Sequence, residues 1–230
     1  VKLRRALPAA TVMGHRALLA EGLGDYEGAL AVYDEAPDEF DAPDSSEAGS
    51  MTFFARARAF NAQRLLALRQ AELLRGINRD AEAVTLLTRL LAASPQDPYV
   101  ESRLETATSG DDRWKPRTLK QAMALAIGDQ ADLVEEQEAI MAAMSGRGAK
   151  LPFNHLLSSM RQSALLIDPD NGEIRIAEAG KLYEQGRFEP ALRISQIGNP
   201  RKEYASLLQS TAGLAALELG SPETMEAMVE

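Results

Sequence analysis

The chain has 230 residues, of which 45 % are hydrophobic, 5 % are aromatic and none is cysteine. Its formal net charge of −9 gives no electrostatic basis for binding nucleic acid or an anionic membrane. The lack of cysteine excludes disulfide and thiolate chemistry, and no apolar run is long enough to insert across a bilayer. Alanine and leucine dominate the apolar residues, which favours packed helices.

The first predicted element is a helical hairpin. Pro8 suits the first position of a helix that runs to Glu21, because its missing N–H would be unsatisfied there in any case. Glycines at 22 and 24 break this helix, and a second one, over 26–36, returns along it. An acidic loop over 37–50, without a basic residue, follows. We interpret it as a solvated connection, with a regulatory or partner-contacting role as the alternative.

The remaining predicted elements are also helices. A longer helix over 51–75 precedes a returning helix over 80–93. The next helices are predicted over 97–108, 116–127, 129–144 and 153–167. The last are predicted over 172–185, 188–197 and 202–219, with a further one from Pro222.

One spacing recurs along the chain. A small residue is followed seven positions later by a turn glycine or asparagine, and five positions after that by a small or apolar residue. The copies are Ala17–Gly24–Ala29, Ala71–Asn78–Ala83, Ala179–Gly186–Ala191 and, more faintly, Gly213–Gly220–Met225. Small residues let two helix axes approach to about 8–10 Å where they cross. Repetition of this spacing therefore predicts stacked helical hairpins.

The stretches 24–30 and 183–192 resemble the turn and second helix of the tetratricopeptide repeat, a helix–turn–helix unit with a period of about 34 residues. Ser94-Pro95 and the stretch 168–171 resemble boundaries between repeats. The register agrees, because Gly186 follows Pro169 by 17 residues and Gly220 lies one period further on. The chain departs from the pattern at Glu178, where an apolar residue is usual, and over 97–150.

This resemblance implies an all-α fold, a right-handed α-solenoid of about six tetratricopeptide-like hairpins. We expect one solenoid over 1–230: a first hairpin over 1–36, the acidic loop over 37–50, a second hairpin over 51–95, irregular helices over 96–150 and regular repeats over 151–230. The start at Val1 and the short final helix predict a segment of a longer protein.

The resemblance also implies a non-catalytic scaffold that binds a protein or peptide, without a cofactor. Two alternatives stay open. One is an accessory scaffold segment of a larger enzyme or envelope-assembly protein. The other is an all-α hydrolase using carboxylates, which would require converging acids in a closed cavity that excludes water.

Candidate binding residues lie on the predicted helix over 51–75, which carries five arginines and one acid. Arg56, Arg64 and Arg75 share one broad face of this helix. They are interpreted either as pairing with nearby acids, the 37–50 loop among them, or as a surface for an acidic partner, with nucleic acid as a third option. Trp114, in a charged loop, is interpreted as a lid on a helix end or as an interface anchor.

The sequence predicts no catalytic residue and no metal site. His15 and His155 are not in a metal-binding arrangement, and we interpret both as partly buried structural residues. The acids over 168–173 lack the spacing of a calcium loop, and glycines over 146–150 lack that of a phosphate loop. The acids at 135, 136 and 138 are interpreted as a solvated face.

Overall fold

A computed structural model describes residues 3–37, 40, 51–110, 115–145, 154–197 and 202–220. Within these ranges the chain forms ten α-helices and no strand, so the predicted all-α class is confirmed. The helices are α1 (Leu3–Gly22), α2 (Tyr26–Tyr33), α3 (Met51–Gly76), α4 (Asp80–Ala93), α5 (Pro98–Ser109), α6 (Leu119–Ser145), α7 (Asn154–Ile167), α8 (Gly172–Glu184), α9 (Phe188–Gln196) and α10 (Lys202–Glu218).

The chain divides into two compact units, unit 1 over Val1–Ala122 and unit 2 over Met123–Glu230. In unit 1, α1 and α2 form a hairpin, and α3 packs against both before pairing with α4. In unit 2, α8 and α9 form a hairpin, and α10 packs against both. Each unit therefore contains a hairpin whose two helices both contact a later helix, which is the contact pattern of stacked helical hairpins.

The turns lie where the repeated spacing places them. Gly24, Asn78, Gly186 and Gly220 have φ values of 85°, 65°, 71° and 68°. This left-handed conformation ends a helix readily at glycine or asparagine. In three hairpins the residue after the turn residue donates its N–H to the carbonyl five positions earlier, at 2.8–2.9 Å. The donors are Asp25, Arg79 and Arg187. The same local hydrogen-bond pattern thus closes all three hairpins.

The small residues of the spacing lie at the helix crossings. All six alanines of the three clear copies are 0 % exposed: Ala17, Ala29, Ala71, Ala83, Ala179 and Ala191. In unit 1, four of them belong to one core cluster that also contains Leu73, Leu87 and Leu90. The alanines allow close approach of the helices, and the leucines fill the space around them.

Two helices differ most from those predicted. Pro8 lies inside α1, five residues after its start, where its missing N–H removes the hydrogen bond that would reach Arg4. The helices predicted over 116–127 and 129–144 form one continuous helix, α6. Gly128 lies inside this helix, and a Cβ there would lie only 2.9 Å from Ile174 Cγ1 of α8. This glycine serves the close approach of two helices.

Candidate functional site

Of the three candidate arginines on α3, one is buried in unit 1 and two are half-buried. Arg64 donates from Nη2 to Asp97 Oδ1 at 2.9 Å, and its Nε also donates to Asp97. The Arg75 side chain is 2 % exposed, with its Nε 3.7 Å from Asp80 Oδ1. Arg56 is half-buried. Pairing with nearby acids thus describes Arg64 and Arg75, whereas binding of an acidic partner by this face stays a prediction.

A buried network of four charged side chains lies beside these arginines. It contains Glu21 of α1, Glu72 of α3, Arg103 of α5 and Arg117, which precedes α6. Arg117 Nη1 donates to Glu21 Oε2 at 3.0 Å, and its backbone N–H donates to Glu21 Oε1 at 2.7 Å. Glu72 pairs with both Arg103 and Arg117. The network joins segments 96 residues apart, and we assign it a structural role because all four groups are buried.

Several other residues singled out in the sequence have clear positions. Asn171 caps α8 by accepting the Ile174 N–H at 3.1 Å, so the acidic stretch around it is a helix boundary. His15 is half-buried as expected, but His155 is exposed because it lies on the outer face of α7, so that expectation was wrong. Trp114, the glycines over 146–150 and most of the acidic loop over 37–50 lie outside the described residues. No group of metal-binding side chains occurs in the described ranges.

Glu178, the acid at a position where the repeat usually has an apolar residue, is fully buried on α8. It accepts hydrogen bonds from the Ser158 hydroxyl and, at 3.1 Å, from the Gln162 amide of α7. Both hydrogen bonds reach Oε1, whereas the buried Oε2 has no partner among the described residues, so polar groups on α7 compensate the burial of this carboxylate only in part.

Unit 2 contains a cleft of about 450 Å³ between α6, α7 and α8. Its base is an apolar stretch of α8 formed by Ile176, Ala177 and Gly180. Ile176 and Ala177 are neighbours in sequence and Gly180 follows one turn later, so all three lie on one side of the helix. A Cβ placed on Gly180 would meet no atom within 4 Å, so the helix backbone is open to the cleft at this residue. Small side chains on α8 thus leave a hollow along the helix.

Charged side chains surround this hollow. Arg161 of α7 donates from Nη2 to Asp132 Oδ1 of α6 at 2.6 Å and also pairs with Glu135. Lys181 of α8 bridges Glu135, at 2.5 Å, and Glu184, at 3.2 Å. The Arg161 and Lys181 side chains are 4 % and 23 % exposed. Asp132 and Glu184 are 53 % and 69 % exposed. The mouth of the cleft is therefore lined by carboxylates.

The pKa values of the cleft carboxyl groups shift in opposite directions. Desolvation by the surrounding walls raises the pKa of Asp132 above its ordinary value despite its accessible surface, and Arg161 offsets this only in part. Burial also acts to raise the pKa of Glu135, but hydrogen bonds from Lys181 and Arg161 outweigh it and lower that pKa. Ionisation is therefore less favourable at Asp132 and more favourable at Glu135 than at an ordinary carboxyl group, although both bind Arg161.

Sequence reasoning missed most of this cleft. It interpreted the acids at 135, 136 and 138 as solvated, but all three are half-buried, and Glu135 is held by two cations. Asp132, Arg161 and Lys181 carried no motif. The one sequence feature that could have indicated the cleft is Gly180, which lies inside a predicted helix. Glycine in a helix is less stable than alanine, so its presence there often has a packing or functional reason.

A smaller cleft of about 270 Å³ lies in unit 1 between α2, α3 and α4. Tyr33, Leu66 and Phe40 form part of its wall. Arg89 lies over the Phe40 ring, 5.9 Å from its centroid, and Gln70 donates to Asp34 at 2.8 Å. Arg89, Gln70 and Asp34 are thus engaged within the unit.

Comparison with protein-family models, with curated proteins and with solved structures finds no match to this chain. The tetratricopeptide resemblance consequently rests on the spacing, the turns and the buried alanines described above. In the described part of the chain, none of the helices has the length and apolar character needed to span a membrane.

Proposed function

We propose that this chain is a non-catalytic scaffold module that binds a protein or peptide segment, and that the unit 2 cleft holds this segment. Three repeated hairpins support the repeat assignment through identical turns and fully buried alanine crossings. The observation that carries the binding proposal is the hollow along α8, where Ile176, Ala177 and Gly180 leave the helix surface open. An extended segment lying there would contact apolar surface below and charged groups at its sides.

The same cleft provides the argument for the second candidate, a hydrolase using carboxylates. Opposite pKa shifts at Asp132 and Glu135 are the pattern that separates an acid from a base in such enzymes. Both carboxylates, however, bind the same guanidinium of Arg161. The Asp132 side chain is also about half exposed, so water reaches it. These features favour binding over catalysis, since a hydrolase of this kind requires a site that excludes water.

Site-specific photo-cross-linking tests the proposal. A photoreactive amino acid replaces Ala177 in the cleft, and in a matched control it replaces Glu189, an exposed residue of α9 outside it. In cells that produce the chain naturally, we expect a discrete protein adduct at position 177 and none at 189. Filling the hollow with a second substitution, Gly180→Leu, should abolish that adduct while the helical circular dichroism is retained. Equal labelling at both positions, or no adduct at 177, would refute the proposal.

A further inference from the structure

The charges at the mouth of the unit 2 cleft determine which kind of segment fits it. Among the described lining residues, four are acids and two are bases, which leaves an excess of two negative charges. Both bases are already used internally, Arg161 by Asp132 and Glu135, and Lys181 by Glu135 and Glu184. Both bases are also less exposed than the carboxylates of Asp132 and Glu184. An approaching segment therefore meets the outward-facing carboxylates of Asp132 and Glu184 first.

The floor of the cleft suits the stem of a long basic side chain. Lysine and arginine carry an aliphatic stem that packs on apolar surface while the charged end stays in a polar environment. Ile176 and Ala177 provide that apolar surface in the same cleft as the carboxylates, and the absence of a side chain at Gly180 leaves room for the stem. An acidic side chain would lack such a stem and would add to the excess negative charge.

From these contacts we infer that the unit 2 cleft binds a basic peptide segment, with a lysine or arginine side chain between Asp132 and Glu184. This inference rests on the proposed function and specifies its partner. It is opposite in sign to the acidic partner expected for the arginine face of α3. Electrostatic complementarity of this kind speeds association and discriminates against acidic competitors.

Fluorescence anisotropy with the full chain tests the inference. The probes are three short labelled peptides in which alanine alternates with lysine, glutamate or serine. We expect the lysine peptide to bind, and to bind about tenfold more weakly to the Asp132→Asn, Glu184→Gln double variant. Glu189→Gln removes an exposed carboxylate outside the cleft and should leave the affinity unchanged. Gly180→Leu should abolish binding, and the glutamate and serine peptides should not compete.

The outcomes separate the inference from the proposed function. If the glutamate or serine peptide binds and Gly180→Leu prevents that binding, the inference of a basic partner is refuted while the cleft remains a binding site. Equal weakening by Glu189→Gln and by the double variant would indicate attraction to the net charge of the chain, and would also overturn the inference. Failure of the lysine peptide to bind, with an adduct still formed at position 177, refutes the basic partner alone. If the lysine peptide does not bind and no adduct forms at position 177, the proposed function is refuted as well.

Discussion

Two glycines of α8 provide a matched test of the packing in unit 2. An ideal Cβ on Gly172 would lie 2.4 Å from Tyr204 Cγ and 2.6 Å from Tyr204 Cβ, both on α10. An ideal Cβ on Gly180 would meet nothing within 4 Å. Real Cβ atoms do not approach other atoms to 2.4 Å, so Gly172→Ala must displace α10 or its tyrosine. Such overpacking costs about 1–3 kcal/mol.

Gly180→Ala is expected to raise the free energy of unfolding, whereas Gly172→Ala is expected to lower it. Alanine inside a helix is more stable than glycine by about 0.5–1 kcal/mol, because the unfolded glycine chain has more conformations to lose. With no steric cost at this position, the full gain should appear. For a chain of this size the shift in Tm is about 2–4 °C for each kcal/mol. We therefore expect Tm to rise by about 1–4 °C for Gly180→Ala and to fall by about 2–12 °C for Gly172→Ala.

Thermal unfolding followed by circular dichroism at 222 nm measures both shifts, and urea unfolding at unchanged m-value gives the free energies. The two alanine variants have the same composition, so the difference between their stabilities reflects only the position of the substitution. Unchanged or higher stability in Gly172→Ala would refute the contact between α8 and α10, and a loss of stability in Gly180→Ala would refute the open space at that residue.

Three further predictions concern unit 1, and urea unfolding measures each of them. Ala83→Trp, which overpacks a hairpin crossing, should cost about 1–3 kcal/mol or more, whereas the same change at the exposed Ala92 should stay within about 0.5 kcal/mol. Asp97 caps α5 and binds Arg64, so Asp97→Ala should be about 1 kcal/mol less stable than Asp97→Asn, which keeps the cap. Burial opposes ionisation of Asp97, but Arg64 outweighs it and lowers the pKa. The stabilisation that ionised Asp97 provides is therefore fully present at pH values above the pKa of an unfolded aspartate, about 3.9, and is lost as the pH falls through the lowered pKa of the folded state. Asp97→Asn should lack this pH dependence. Glu21→Ala should lower the free energy of unfolding by at least about 2 kcal/mol, because it leaves Arg117 buried with one carboxylate fewer. An unchanged free energy of unfolding for any of these three predictions would contradict the contact on which it rests.

The helices and their turns could be predicted because their causes are local. Glycine and asparagine adopt positive φ at little cost, so Gly24, Asn78, Gly186 and Gly220 marked helix ends before any tertiary contact was known. The small residues seven positions before and five positions after these turns then marked the helix crossings. Gly128 shows the limit of this reasoning, because a glycine that breaks a helix and one that admits a neighbouring helix look alike in sequence.

The charged groups required the tertiary structure. A helical period places an arginine on a face, but the sequence does not say which distant acid lies opposite that face. Arg117 and Glu21 are 96 residues apart, and Arg161 reaches across to α6 for its partners. Pairing at such distances depends on how the helices stack. The sequence by itself therefore determined an all-α chain of hairpins. Only tertiary packing buried the cations, left the carboxylates at the mouth of the unit 2 cleft, and so decided the charge of the partner that we propose.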